Sequence, residues 1–331
     1  YLDIRTIESF LTPKEEFFVQ NNYGHPEVDP STYRLKVTGL VDSSAELSLE
    51  DLRARPSQQL VAGFECSGNN NARIQGLASN GLWTGIRLSD LLGELGVQSD
   101  REGKEVVFFG ADHGEEEINF RGQTFMADQQ FARSISLDRA MTPDPFLAYA
   151  LNGDPLTREQ GFPLRLLMPG WYGVSNVKWV SQIHVQEGRF LGKWQARRYF
   201  TLRRETIDGE VKWMETAVTR MRLKSVIARV TVEGNGHKVL GFALNDGTSL
   251  RTVEVKVDDG EWQQATFDSL NTRYSWKLFT YQWEGATPGE HTLVSRVTDS
   301  NGNVQPTEVD LEIKQTRLEH NAQFPRTVMI S

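Results

Sequence analysis

Residues Gly63-Phe-Glu-Cys66-Ser-Gly-Asn-Asn-Asn-Ala-Arg73 carry the one cysteine of a 331-residue chain, where an apolar run gives way to a polar turn. A single thiol closes no internal disulfide. A thiolate is the softest ligand a side chain offers, so a lone Cys ahead of a Gly/Asn turn suggests ligation of a soft or high-valent transition metal. The competing reading is a small hydrophobe, the usual role of a cysteine outside a disulfide. Position alone leaves both open. The six histidines lack the paired spacing of a zinc site, and neither a Gly-x-Ser-x-Gly elbow nor a P-loop is present.

With 38% apolar residues, eight Trp and seventeen Phe, the chain can bury a sizeable core and is expected to form two domains. The net charge is −8 and the basic residues are spread along the chain, so the dense cationic stripe that a phosphate backbone requires is missing. Nucleic acid is therefore not an expected partner. No apolar run approaches the roughly 20 residues that span a bilayer. The start at Tyr1, without Met, suggests a leader already removed and points to a periplasmic protein. Cysteine usage without disulfides fits a cytoplasm equally.

Two halves differ in pattern. Residues 1–218 mix short strands and helices and read as α+β. Ser48-Leu-Glu-Asp51 has the spacing of a capping box, Leu88 to Leu92 followed by Gly93 and Gly96 reads as a helix with a stop, and Glu105–Phe109 and Pro163–Met168 are strand-like runs apolar enough for burial on both faces. Residues 219–331 alternate instead: Val253, Val255 and Val257 against Glu254 and Lys256, then the turn Asp259-Gly260. Thr292 to Thr298 runs into Asp299-Ser-Asn-Gly302, and Val309, Leu311 and Ile313 alternate again. That pattern predicts an immunoglobulin-like sandwich suited to association.

Phe17-Phe-Val-Gln-Asn-Asn22, Glu65-Cys-Ser-Gly-Asn69, Gly161-Phe-Pro-Leu-Arg165, Pro169-Gly-Trp-Tyr-Gly173 and Val177-Lys-Trp179, in this order and spacing, resemble the sulfite oxidase family of molybdenum enzymes. The likeness continues through Trp194-Gln195 and Tyr199 into Asp299–Pro306 and Asn321-Ala322, which resemble the family's dimerisation domain. The resemblance implies a homodimer and a molybdenum held by one molybdopterin and by the thiolate of Cys66, which turns the lone cysteine into a metal ligand. It assigns Phe18, Val19, Gln20, Asn21, Asn22, Asp112, Arg165, Asn176, Val177 and Lys178 to the pterin and its phosphate. Tyr199 takes the place of the active-site tyrosine. Arg165 and Lys178 suit a buried phosphate, and Gly170 and Gly173 would let the backbone come close to it.

The substrate pocket departs from the pattern. A small dianion calls for several fixed cations, chiefly Arg. Yet the family's Arg and His in Phe-Val-Arg-Asn-His are Gln20 and Asn22, the Arg after the cysteine motif falls on Asn70 or Asn71, the His before Gly-Phe-Pro is Gln160, and the Arg of Gly-x-x-Gly-Ala-Arg is Ser175; two of these losses concern pterin contacts, where an amide still hydrogen-bonds, and the others bear on substrate. Arg73, Arg197, Arg198 and Arg326 are the candidates to refill the pocket. With no Cys-x-x-Cys-His haem motif and one cysteine, the chain needs an external electron carrier such as a cytochrome c. The resemblance thus implies oxidation of sulfite to sulfate as the default. The alternatives are an oxidase or reductase for a less charged sulfoxide, N-oxide or organic sulfur compound, and a metal-free interaction protein.

Overall fold

The computed structural model describes residues 1–97 and 102–331, and only the backbone of Arg73. Strands dominate, and the α-helices among the described residues are the short segments Leu49–Arg53, Leu88–Glu94 and Leu137–Ala140. The Ser48 box is present, with Asp51 N donating to Ser48 Oγ and Ser48 N donating to Asp51 Oδ2. No helix among the described residues is long and apolar enough to cross a membrane.

Among the described residues the first half contains two five-stranded sheets and the antiparallel ribbon Phe200–Ile207 with Glu210–Ala217. One sheet runs Ala45–Leu47, Leu35–Gly39, Val180–Glu187, Lys104–Phe120, Gln123–Ser136; it is antiparallel except where Leu35–Gly39 and Val180–Glu187 pair in parallel. The other is built on Gln58–Glu65, Ala78–Arg87 and Phe146–Leu151, with Asp154–Pro155 and Arg165–Leu167 both pairing Phe146–Leu151. Val37, Phe108 and Ile183 of the first sheet share a core with Ile86, Leu147 and Leu166 of the second and with Leu88, Leu91 and Leu92.

The run at 105–109 expected as a strand is the inner end of a far longer hairpin, Lys104–Phe120 with Gln123–Ser136. Val106, Val107 and Phe108 are fully buried, whereas most residues from His113 outward are exposed. Arg121 and Gly122 turn the hairpin with φ of 50° and 79°, the left-handed pair a two-residue turn needs.

The second half forms two antiparallel four-stranded sheets. They are Lys224–Glu233, Gly236–Leu244, Lys277–Trp283, Thr266–Phe267, and Gln263–Gln264, Leu250–Val257, Gly289–Asp299, Arg326–Ile330. Ile227, Val239 and Phe279 of one meet Val253, Val255, Leu293 and Val297 of the other in one core. Two expectations change. The strand at 163–168 contracts to Arg165–Leu167, and Val309–Ile313 is a 3-10 helix with Val309 70% exposed. Thr307 explains the helix, its hydroxyl accepting from Asp310 N and donating to Asp310 Oδ2, so that alternating side chains gain no partner strand.

The second half presses directly on the strand that ends at Cys66. Gly63 N donates to Tyr274 O at 2.9 Å, and a Cβ on Gly63 would lie 2.9 Å from Trp276 N. Buried Lys224 pairs with buried Glu65 at 2.9 Å. Gly170, expected to approach a phosphate, serves this seam instead: its φ is 78°, and a Cβ there would meet Asp246 O at 2.3 Å.

Candidate active site

A cleft is walled by residues 18–22, by Phe64 and Cys66, by Asp112 and Phe131 of the long hairpin, by 159–160 and Arg165, by Gly173, Val174, Asn176, Lys178 and Trp179, and by Tyr199. Every residue assigned to the site from the sequence lines it except Val177. That side chain is fully buried in the core and its carbonyl accepts from Leu166 N, so alternation on the turn points it away from the cleft.

Cys66 follows the last residue of the strand Gln58–Glu65. Its N donates to Leu77 O and its carbonyl accepts from Asn69 N, both at 2.9 Å, which closes a tight turn. Buried Asn69 staples that turn from inside: Oδ1 accepts from Leu77 N, and Nδ2 donates to Gln75 O and Glu65 Oε2. Ile74 and Gln75 then sit at φ of 50° and 59°, costly for non-glycine residues and held by the Gln75 N to Asn70 O bond. Asn71 is exposed, accepts from Gln75 Nε2, and does not line the cleft.

Opposite the cysteine motif lies a charged corner. Arg165 is 5% exposed; Nη1 donates to Gln160 O at 3.0 Å, Nη2 to Asn176 O at 3.4 Å, and Nε has no partner. Its guanidinium lies 5.0 Å from the Trp83 ring and 5.4 Å from the Phe64 ring, and burial pulls its pKa down to about 9. The Lys178 ammonium donates to Gln20 O, Glu159 O and Asn21 Oδ1 and lies 4.4 Å from the Trp179 ring. Burial, then the neighbouring Arg165 charge, lower its pKa to about 7. Asp112 is buried, Oδ1 has no partner, and desolvation raises its pKa to about 6. A buried guanidinium and a half-buried ammonium bonded only to neutral acceptors, with Arg165 Nε idle, give this corner donors for an anion, with the Asp112 carboxyl as the opposing charge. This donor set fits a phosphate-bearing cofactor, with a thiolate ligand across the cleft.

Tyr199 donates to Asn22 Oδ1 at 3.1 Å and packs at 6.1 Å from Trp194, which in turn stacks with Phe131. Burial, then the Cys66 charge, raise its pKa. None of Arg197, Arg198 and Arg326 lines the cleft. The first two are exposed at the end of the single π-turn Lys193–Arg197, and Arg326 donates Nε to Ile227 O on the second half. The side chain of Arg73 lies outside the described residues. Gln20 and Asn22 thus face the cleft without a described replacement cation. Sequence reasoning missed Phe64, Phe131 and Glu159, although Phe64 and Glu159 flank motif residues. It also missed Arg133, buried behind the wall with Nη2 3.4 Å from Ser175 Oγ, because a lone Arg in a polar strand reads as a solvated side chain.

Residues 22–194 match the family described as "Oxidoreductase molybdopterin binding domain". Sulfite oxidase of Gallus gallus is 30% identical over 336 residues, covering 91% of this chain and 69% of that one. The chain belongs to the sulfite oxidase family. As a molybdopterin oxidoreductase of this family it is an enzyme with a molybdenum–molybdopterin cofactor. Human mitochondrial sulfite oxidase is 31% identical over 329 residues, and the chain spans only 58% of its length. The crystal structure of the sulfane dehydrogenase SoxCD from Paracoccus pantotrophus superposes with a TM-score of 0.82 at 27% identity, covering 99% of this chain and 83% of that one.

Proposed function

We propose that this family member catalyses a two-electron oxidation at sulfur, on a substrate less charged than sulfite, and passes the electrons to an external carrier. The observation that carries this reading is that positions where the family has Arg or His toward the substrate hold neutral residues, Asn71 turned out to solvent, Gln160 and Ser175, with Arg197, Arg198 and Arg326 all elsewhere. At roughly 1.5–3 kcal/mol per charge-assisted bond, each missing bidentate Arg removes about 3–6 kcal/mol of dianion binding. A sulfane sulfur, the substrate type named for SoxCD, makes no such demand. Oxidation of sulfite to sulfate is the second reading, favoured by the relatives named sulfite oxidase.

In this reading the Cys66 thiolate holds the molybdenum, and Arg165 and Lys178 hold the phosphate of the pterin, returning Lys178 to its charged form. The cofactor supplies two-electron chemistry and exchange of an oxygen atom. Tyr199, steered by Asn22, orients the substrate and offers a proton at its phenol oxygen. Phe64, Phe131 and Val174 keep water off that wall. Residues 219–331, two sheets on one core, serve as an immunoglobulin-like dimerisation domain after a cofactor domain of 1–218.

Steady-state oxidation of sulfite and of a small organic persulfide, which carries at most one negative charge, with ferricyanide or cytochrome c as acceptor, tests this. A kcat/KM for the persulfide at least tenfold above that for sulfite is expected. Efficient sulfite turnover at micromolar KM would instead establish the second reading.

A further inference from the structure

Arg133 is 2% exposed and is carried by the inner half of the strand Gln123–Ser136. Its acceptors belong to three separate segments. Nη1 donates to Trp194 O on the Lys193–Arg197 turn, and Nη2 donates to Val218 O and to Ser175 Oγ. Among the described residues no carboxylate acts on it, only the Tyr199 phenol, and Nε has no partner. Charged groups this deeply buried normally face a counter-charge, so its retention needs a reason beyond packing. The acceptors supply one. Val218 N donates to Tyr199 O at 2.9 Å, Trp194 packs on the Tyr199 ring, and Ser175 ends the turn whose Gly173 and Val174 line the cleft. One planar guanidinium thus joins the segments on either side of Tyr199 to the facing turn, which a shorter or single-headed donor cannot do.

We propose that Arg133 is a positioning residue for the reaction, clamping the Trp194 and Val218 backbones to the Ser175 turn and so fixing the Tyr199 phenol at the cleft wall. Its catalytic consequence rests on the reading that Tyr199 faces substrate; the clamp itself does not. The holoenzyme and its Arg133→Met and Arg133→Lys variants are compared by hydrogen exchange and by kinetics. In Arg133→Met, exchange in residues 193–199 and 217–219 rises on the order of tenfold while that in Leu250–Val257 and Gly289–Asp299 is unchanged, and kcat falls by about tenfold or more with KM shifted less. Arg133→Lys, the variant to read if the first does not fold, moves the same way by a smaller factor. Wild-type exchange in 193–199, or wild-type kcat, in whichever variant folds overturns the proposal. Exchange is read without substrate, so failure of the wild type to oxidise any sulfur compound would sink the functional reading and leave the clamp still tested.

Discussion

Lys178 links the candidate site to the pH dependence of folding. Its pKa falls from 10.5 to about 7 through burial and the Arg165 charge. Those 3.5 units amount to about 5 kcal/mol at about 1.36 kcal/mol per unit. Between pH 7 and 10.5 the unfolded chain holds a proton at this lysine that the folded, cofactor-free protein has lost. Stability therefore climbs with pH across that window, by about 1.2 kcal/mol per unit near pH 8, and the full cost of burying the charge is present below pH 7. Asp112, at about 6, titrates below the window. The perturbation is Lys178→Met, which removes the proton in both states. Urea unfolding of cofactor-free wild type and variant at about pH 7.5, 8.5 and 9.5 should show their difference moving in favour of the wild type by about 1.2 kcal/mol per unit at first. A difference that stays constant with pH would refute the argument that the corner holds a desolvated cation awaiting an anion.

Cys66→Ser offers a hard hydroxyl in place of a thiolate, so turnover should fall by about 100-fold or more while thermal melting of the cofactor-free protein stays near wild type; enzyme assay with metal analysis decides it. Tyr199→Phe loses the phenol and its 3.1 Å bond to Asn22, and kcat should drop about 10²-fold with the fold intact, as read by steady-state kinetics and circular dichroism. Lys224→Met strands the Glu65 carboxylate in a site where both side chains are nearly inaccessible, which should cost about 3–5 kcal/mol in urea unfolding, whereas changing both partners to apolar residues should recover most of that loss.

The sequence was most legible where one local rule settled the outcome. Val253 and Val255 face the core and Ser48 caps its helix because period-two burial and a capping box act over a few residues. The same alternation misled at Val309–Ile313, where the Thr307–Asp310 bonds formed a helical turn and no neighbouring strand competed. The outer part of the long hairpin was missed because Glu115, Glu116 and Glu117 break any apolar pattern, and an exposed ribbon needs none. Cys66 and Arg165 reach the cleft from strand ends, residues 18–22 from a loop, and Asp112 from the irregular stretch between Phe109 and His113 inside the long strand. Val177 does not, since neighbouring residues on an extended turn point to opposite sides. Arg133 was illegible because its acceptors lie 42 to 85 residues away.

The seam between the halves sets a condition on dissecting this protein. Glu65 is held by Lys224 and Gly63 by Tyr274, so the segment that presents the thiol has its rear supports in residues 219–331. A fragment ending near residue 218 would keep every side chain of the cleft and lose the brace behind Cys66, leaving a carboxylate, an amide and an aromatic face open to water. The minimal cofactor-loading unit is therefore longer than its ligand set, and a partner strand grafted behind residues 58–65 would have to replace that brace before any shortened version could take up metal.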